Sequence, residues 1–335
     1  MRAVLQSHYG SVDDLSVGEI DRPEPADDEV LIRVRAASVH PDVWHVVAGQ
    51  PAVLRLMGSG ARRPRQQVPG TDVAGVVESV GLAVTRFKPG DEVFGETIRG
   101  VQWRNGGAYA EFATAPEAGL AHKPPNVTFE EASAVPTAGL IALNNLPQRW
   151  VPAGSRVLVN GAGGGVGAIA VQLAKAYGAE VTGVEHPSKL DLVRSLGADR
   201  VIDYTAEDFT RRGEPWDVVF DVPGNHPFRE VRRVLAPGGR YLLIGHDAFG
   251  AGGHHWLGGI PLQLGLMARS AVNPQLRGPS FASPDKHELM GTLTHLMETG
   301  ALRVVVDRTF PLDQAPEALH HLMSGQAVGR VVIRP

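Results

Sequence analysis

The segment RVLVNGAGGGVGAIAVQLAKAYGAEVTGVE, from Arg156 to Glu185, decides how this chain folds. RVLVN is a continuous apolar strand of the kind buried on both faces of a parallel sheet. It runs straight into Gly161-Ala162-Gly163-Gly164-Gly165-Val166-Gly167. Val166, Ile169, Ala170, Leu173 and Tyr177 then recur at helical spacing, so one face of the following helix packs back on the sheet. EVTGV returns as a second strand. Glycines permit a tight turn and close backbone approach, while the free N–H groups and dipole of the helix start attract negative charge. The spacing Ala162-x-Gly164-x-x-Gly167 departs from the dinucleotide fingerprint at its first glycine. Strand, turn, helix and strand in succession still read as a dinucleotide site, with Gly163, Gly164, Gly165, Val166 and Gly167 around the diphosphate. The competing reading is a packing turn that binds nothing. No Lys-Ser or Lys-Thr follows the glycines, which excludes a nucleoside-triphosphate loop.

Glu185 stands at the tip of the second strand, where the adenosine ribose belongs. A carboxylate there accepts hydrogen bonds from ribose hydroxyls and repels a 2′-phosphate, which favours NAD over NADP. Ser188, Lys189 and Arg194 follow closely and offer phosphate contacts should Glu185 turn away. Downstream, RVIDY (Arg200 to Tyr204), DVVFDV (Asp217 to Val222) and RYLLIG (Arg240 to Gly245) continue the alternation of strand and helix. Five strands in this rhythm imply a doubly wound α/β domain with a parallel sheet. Ligands lie beyond the C-terminal strand ends in such sheets, so Asp221, Val222 and Gly224, then Ile244, Gly245 and His246, are expected near the nicotinamide. His246 to Gly259 is glycine-rich without periodicity and reads as a loop beside a site. Lys286 to Glu298 reads as a helix, Asp313 as the N-cap of another running to His321, and GRVVIRP as a closing strand. Arg330 in that strand is read either as approaching the cofactor phosphates or as a surface residue.

The first 125 or so residues change character. Val30 to Val34, Val73 to Val80, Asp91 to Phe94 and Tyr109 to Thr114 are short β segments, separated by turns such as Pro69-Gly70 and Pro89-Gly90. The expected domains are therefore residues 1–125, completed by 300–335, and residues 126–299. Charged residues make up 20% of the chain and hydrophobic residues 43%, which excludes a highly charged disordered protein. A net charge of −4 argues against a basic nucleic-acid-binding face. No apolar run reaches the ~18 residues of a membrane span, and MRAVLQSHYG lacks a secretory apolar core, so the default expectation is a cytoplasmic protein without membrane partners. Cysteine is absent, which removes disulfides, thiolate nucleophiles and every cysteine-containing metal site.

AASVHPDVW (Ala36 to Trp44), VPGTDVAGVVESVG (Val68 to Gly81), FKPGDEVFG (Phe87 to Gly95), GGAYAEF (Gly106 to Phe112), EASAVPTAGLIAL (Glu131 to Leu143), the glycine-rich turn, SLGADRVIDY (Ser195 to Tyr204) and GRVVI occur in order along nearly the whole chain. In these motifs the sequence resembles the medium-chain dehydrogenase/reductase superfamily, in its zinc-independent quinone oxidoreductase branch. The resemblance implies a chaperonin-10-like β domain beside a Rossmann domain, an active site in the cleft between them, and assembly as a homodimer or larger. It also implies that the catalytic-zinc positions of related alcohol dehydrogenases fall on His40, Thr71 and about Thr137. One imidazole and two hydroxyls make a poor zinc site.

Without zinc, the charge that develops on hydride transfer must be met by hydrogen-bond donors or delocalised within the acceptor. Quinones and α,β-unsaturated carbonyls delocalise it, so a small-molecule acceptor of that kind is expected. Related reductases often carry Asn where His40 stands, and an imidazole suits proton donation near neutral pH. Asp42 and Trp44 are expected to orient or wall that site. Tyr109, Trp103 and Arg104 read as structural or loop residues, and the pairs His254-His255 and His320-His321 as surface histidines. Two other readings stand beside this one: a metal-free alcohol or aldehyde dehydrogenase, and a protein that binds a dinucleotide without turnover.

Overall fold

A computed structural model describes residues 1–53, 55–100, 104–245, 256–258, 260–277 and 285–335. His246, Trp103 and the His254-His255 pair lie outside them.

In chain order the first elements are β1 (Arg2–Leu5), β2 (Ser16–Glu19), β3 (Glu29–Val39), α1 (Pro41–Ala48), β4 (Asp72–Val80), β5 (Glu92–Glu96), β6 (Phe112–Pro116), β7 (Leu120–His122), α2 (Phe129–Ser133) and α3 (Pro136–Asn145). The glycine-rich segment then supplies β8 (Arg156–Asn160), α4 (Gly165–Ala176) and β9 (Glu180–Glu185). There follow α5 (Leu190–Ser195), β10 (Arg200–Asp203), β11 (Trp216–Asp221), α6 (Phe228–Val231), β12 (Leu235–Leu243), α7 (Ile260–Ser270) and β13 (Leu276–Arg277). The chain closes with α8 (Lys286–Glu298), β14 (Val306–Pro311), α9 (Ala315–Met323) and β15 (Arg330–Arg334).

Two compact units result, Met1–Thr137 with Ser283–Pro335, and Ala138–Ala282. Residues 126–137 and the described part of 283–299 therefore sit with the β-rich unit, whereas the sequence reading drew its borders at 125 and 299. The reason lies in α8: Met290, Leu293 and Met297 are buried, and Asn126 Nδ2 donates to the Met297 carbonyl at 3.0 Å.

In the first unit, β14-β15-β3-β4-β5-β7 form one sheet, with β6 also pairing β3. β3 is antiparallel to both β4 and β15, which brings the end of β3 beside the starts of β4 and β15. Its core collects Ile32, Val73, Val93, Tyr109, Leu120, Leu319 and Ile333, all essentially inaccessible to solvent. The terminal β15 inserts next to β3, so the chain's last strand belongs to its first domain.

In the second unit every strand pair is parallel and the order is β10-β9-β8-β11-β12-β13. Counted within the unit this is 3-2-1-4-5-6, the doubly wound arrangement whose direction of winding reverses between β8 and β11. The sixth strand, β13, is only two residues long, too short to show as a hydrophobic run. Asp313 does not cap α9; a short 3-10 turn over Leu312–Gln314 intervenes, and Gln314 occupies the cap without a side-chain bond.

At the reversal, Asn160 and Asp221 lie in register at the adjoining strand tips. Asp221 is fully buried; its carboxylate accepts from Asn160 Nδ2 (2.9 Å), the Gly224 N–H (2.9 Å) and the Tyr241 hydroxyl (2.8 Å). Burial pushes Asp221 above the usual carboxylate range, and these three donors oppose that rise. Removing the Tyr241 hydroxyl leaves one carboxylate oxygen without its donor. Tyr241→Phe is expected to lower stability by about 1–3 kcal/mol, read from urea unfolding midpoints.

Candidate functional site

The turn between β8 and α4 is built by contacts that only glycine permits. A Cβ on Gly167 would stand 2.0 Å from the Gly161 carbonyl oxygen, so helix and turn touch backbone to backbone. Gly161 itself has φ near +80°, in the left-handed region. The Gly161 and Ala162 N–H groups donate to the Val184 carbonyl, and the Gly164 N–H donates back to Gly161. The first helical hydrogen bond runs from Ala168 to Gly164. Among the described hydrogen bonds none uses the N–H of Gly165, Val166 or Gly167. Three donors therefore converge at the positive end of a 12-residue helix, a cradle for a diphosphate.

Glu185 ends β9 as expected, but its carboxylate is turned inward and only 8% exposed. Oε2 accepts from the Gly163 N–H at 2.7 Å and Oε1 from the His186 N–H at 2.9 Å. The carboxylate thus closes the underside of the turn and is tethered at both oxygens. Lys189 stands at the same place, its Cβ beside Gly163. Val222 and Gly245 follow the tips of β11 and β12, close enough that a Cβ on Gly245 would lie 2.6 Å from the Val222 carbonyl. Asp221 is drawn into the sheet as described above. These residues share one end of the parallel sheet, as the sequence reading required.

His40, Asp42, Trp44 and Arg330 belong to the other unit. β3 ends at Val39, His40 takes the extended N-cap position, and Pro41 and Asp42 open α1. Asp42 supplies negative charge to the first turn, where the dipole favours it. His40 is 3% exposed. Its Nε2 lies 2.8 Å from the Thr71 hydroxyl, whereas Nδ1 is closed to solvent, makes no hydrogen bond and stands 3.8 Å from Asp42 Oδ2. Burial holds the imidazole below its ordinary range, with Asp42 pulling the other way. Trp44 is half-buried and meets the His45 ring edge-on at 5.1 Å.

The resemblance placed Thr71 and Thr137 beside His40, and sequence reasoning missed the two carboxyls and the lysine that join them. Thr71 precedes β4, which Asp72 begins, Glu96 ends β5 directly opposite Asp72, and Thr137 is the second residue of α3. Asp72 and Glu96 are fully buried, and Thr71 and Thr137 nearly so. Asp72 accepts from Ser38 Oγ (3.1 Å) and the Thr137 N–H (3.1 Å). Lys286, at the start of α8, reaches Glu96 Oε2 at 2.5 Å. The available signal was a charged residue interrupting an otherwise apolar strand, in TDVAGVV and in EVFGE. Arg330 is half-buried on β15, in the unit that does not carry the glycine turn. Its Nε and Nη2 are buried without a hydrogen-bond partner, and Asp72 and Tyr109 are its nearest electrostatic influences.

The zinc positions implied by the sequence resemblance do not fit a metal. The Thr71 and Thr137 hydroxyls are committed to His40 and to the two carboxyls. Among the described residues no group of three or more His, Asp or Glu side chains is disposed to hold an ion. No helix among them is long and apolar enough to cross a membrane.

Residues 26–125 match the family described as alcohol dehydrogenase GroES-like domain, and residues 196–333 the family described as zinc-binding dehydrogenase. The NADPH-dependent alkenal/one oxidoreductase, chloroplastic, of Arabidopsis thaliana is 33% identical over all of this chain and 80% of its own length. The chloroplastic quinone-oxidoreductase homologue of Spinacia oleracea is 31% identical over all of this chain and 98% of its own length. Among solved structures, the quinone oxidoreductase of Coxiella burnetii superposes with a TM-score of 0.81 at 26% identity, covering 100% and 99% of the two chains. Both plant relatives are named as chloroplastic, which overturns the cytoplasmic expectation.

Two outcomes follow. Gly167→Ala forces a methyl into the Gly161 carbonyl; dinucleotide affinity by fluorescence titration is expected to fall by about tenfold or more, ~1.4 kcal/mol. For His40, the native side chain stays neutral while the unfolded one takes a proton near pH ~6.5, so the unfolded state binds more protons and stability drops as pH falls through that value. The part of this drop due to His40 is expected to vanish in His40→Asn, measured by urea unfolding at a series of pH values.

Proposed function

The chain belongs to the medium-chain dehydrogenase/reductase superfamily, and on that footing we propose an NAD(P)H-dependent oxidoreductase that delivers hydride to a quinone or α,β-unsaturated carbonyl without zinc. The observation that carries the zinc-free part is the donor set at His40: one imidazole and two hydroxyls already spent on hydrogen bonds. With no Lewis acid to stabilise an alkoxide, the acceptor itself must spread the charge. The nicotinamide, when bound, supplies the hydride.

In this reading Gly163 to Gly167 grip the diphosphate through the N–H groups of Gly165, Val166 and Gly167. Lys189 flanks them, Val222 and Gly245 shape the nicotinamide end, and Asp221 braces the strand tips beneath. His40 donates the proton that follows the hydride, from Nδ1. Asp42 biases the imidazole toward its charged form, and Trp44 walls the same turn. Glu185 favours NADH by its charge and not by holding the ribose, since Gly163 and His186 occupy its two oxygens: a carboxylate at the β9 tip repels a 2′-phosphate, by about 4 kcal/mol at ~4 Å and an effective dielectric of ~20 before screening. A homodimer is supported by the exposed Leu264, Met267 and Val272 on and just after α7, the helix that precedes the edge strand β13.

Steady-state oxidation of NADH and NADPH with quinones, enones and simple ketones, before and after zinc chelation, tests the assignment. Turnover is expected with the first two acceptor classes, unchanged by the chelator; activity confined to alcohols, or lost on chelation, would refute it. Glu185→Gln is expected to raise the NADPH-to-NADH ratio of kcat/KM by about tenfold, ~1.4 kcal/mol. A ratio already favouring NADPH in the unaltered protein would remove Glu185 from that role.

A further inference from the structure

Asn160 ends β8 and Asn225 follows the tip of β11, the two strands between which the winding of the parallel sheet reverses. Asn160 is buried and Asn225 exposed. Gly224, with φ near +62°, makes the turn that brings Asn225 back to Asn160. Asn160 Nδ2 donates to Asp221 Oδ1 at 2.9 Å and to Asn225 Oδ1 at 3.1 Å. Asp221 Oδ1 also accepts the Gly224 N–H, and the Tyr241 hydroxyl donates to Oδ2, so the carboxyl at the root of this network is held by three donors.

These bonds settle which way both amides point. An oxygen that already accepts a backbone N–H is met by the NH2 end of Asn160 and not by its carbonyl. The second hydrogen of that NH2 requires Asn225 to offer its oxygen, which turns the Asn225 NH2 the other way. Among the described residues neither Asn160 Oδ1 nor Asn225 Nδ2 has a hydrogen-bond partner. One acceptor and two donors are thus left unspent where β8 and β11 part. A hydroxyl, which accepts and donates at once, is the complement of such a pair, whereas an ionised phosphate oxygen only accepts.

The order of the strands says which hydroxyl. β9 carries Glu185 on the adenosine side, the turn after β8 cradles the diphosphate, and β12 leads to Gly245 on the nicotinamide side. β11 lies between β8 and β12, and a dinucleotide has a ribose between its diphosphate and its nicotinamide ring. We propose that Asn225 is a cofactor-positioning residue, oriented by Asp221 through Asn160: its NH2 donates to a hydroxyl of the nicotinamide-side ribose, and Asn160 Oδ1 accepts that hydroxyl's hydrogen. The assignment deepens the dinucleotide reading of the glycine turn and rests on it. Holding this ribose limits how the attached ring can rotate, and orientation of that kind contributes to hydride transfer.

Calorimetric titration with ADP, ADP-ribose and NADH tests the assignment, since ADP carries the adenosine and the diphosphate and ADP-ribose adds the second ribose. Asn225→Ala is expected to leave ADP affinity within about twofold and to weaken ADP-ribose and NADH by about fivefold or more, the range of one lost hydrogen bond. Equal weakening of all three ligands, or of none, overturns it. Should the unaltered protein bind neither ADP nor NADH, the dinucleotide reading itself falls; if it binds both and Asn225→Ala is unselective, that reading stands and Asn225 alone loses its role. Should Asn225→Ala fail to fold, an NADH analogue whose nicotinamide-side ribose lacks both hydroxyls decides. The unaltered protein is expected to bind the analogue about fivefold or more weakly than NADH, and equal affinity for the two overturns the assignment.

Discussion

The contact between the Gly161 carbonyl and the Cα of Gly167 sets the geometry on which the parallel-sheet unit depends. With no Cβ in the way, α4 starts almost on top of the strand it follows, and its first N–H groups open onto the end of the sheet. Glu185 completes this arrangement from the neighbouring strand by taking the Gly163 N–H. A negative group at a helix N-terminus is favoured by the dipole, so the same carboxylate that steadies the turn also sets the sign of the field there. The shape of the turn and the charge beside it are thus two consequences of one local packing solution.

The β-rich unit solves a different problem. Asp72, Glu96, His40 and Arg330 are gathered where β3, β4, β5 and β15 begin or end, and withdrawing charges from water costs several kcal/mol each unless they are paired or neutralised. Lys286 pairs with Glu96, while burial pushes the Asp72 carboxyl above its ordinary range and the His40 imidazole below its own. The Ser38, Thr71 and Thr137 hydroxyls bond to Asp72 and His40, while His40 Nδ1 and two Arg330 nitrogens have no hydrogen-bond partner. At the positions the sequence resemblance assigned to zinc, this chain places an imidazole and two hydroxyls bonded to one another and to Asp72 and Glu96.

Local reading was sufficient wherever one segment carried both signal and structure. β8 covers the five residues RVLVN as expected, α8 runs over Lys286–Glu298 as its periodicity required, and the order of strands and helices from Arg156 to Leu243 is as the alternation implied. It failed where partners come from distant segments. Asp221 stands at the strand tip expected to lie near the nicotinamide, but which way its carboxylate turns was not legible: Asn160 and Tyr241 hold it within the sheet. Arg330 was read as a phosphate contact or a surface residue; antiparallel pairing of β15 with β3 buries it beside Asp72 and Tyr109.

What the sequence determined by itself was the doubly wound sheet, the glycine turn, the family and the lack of any thiolate ligand. Each is written in short-range spacing or in composition, and spacing dictates which backbone groups meet. Tertiary structure alone decided that Glu185 turns inward, that Asp72 and Glu96 lie opposite each other, and that Lys286, 190 residues from Glu96, pairs with it. Those pairings depend on strand register and chain crossing, and the charge state of a buried carboxyl is set by the neighbours that register brings within hydrogen-bond distance.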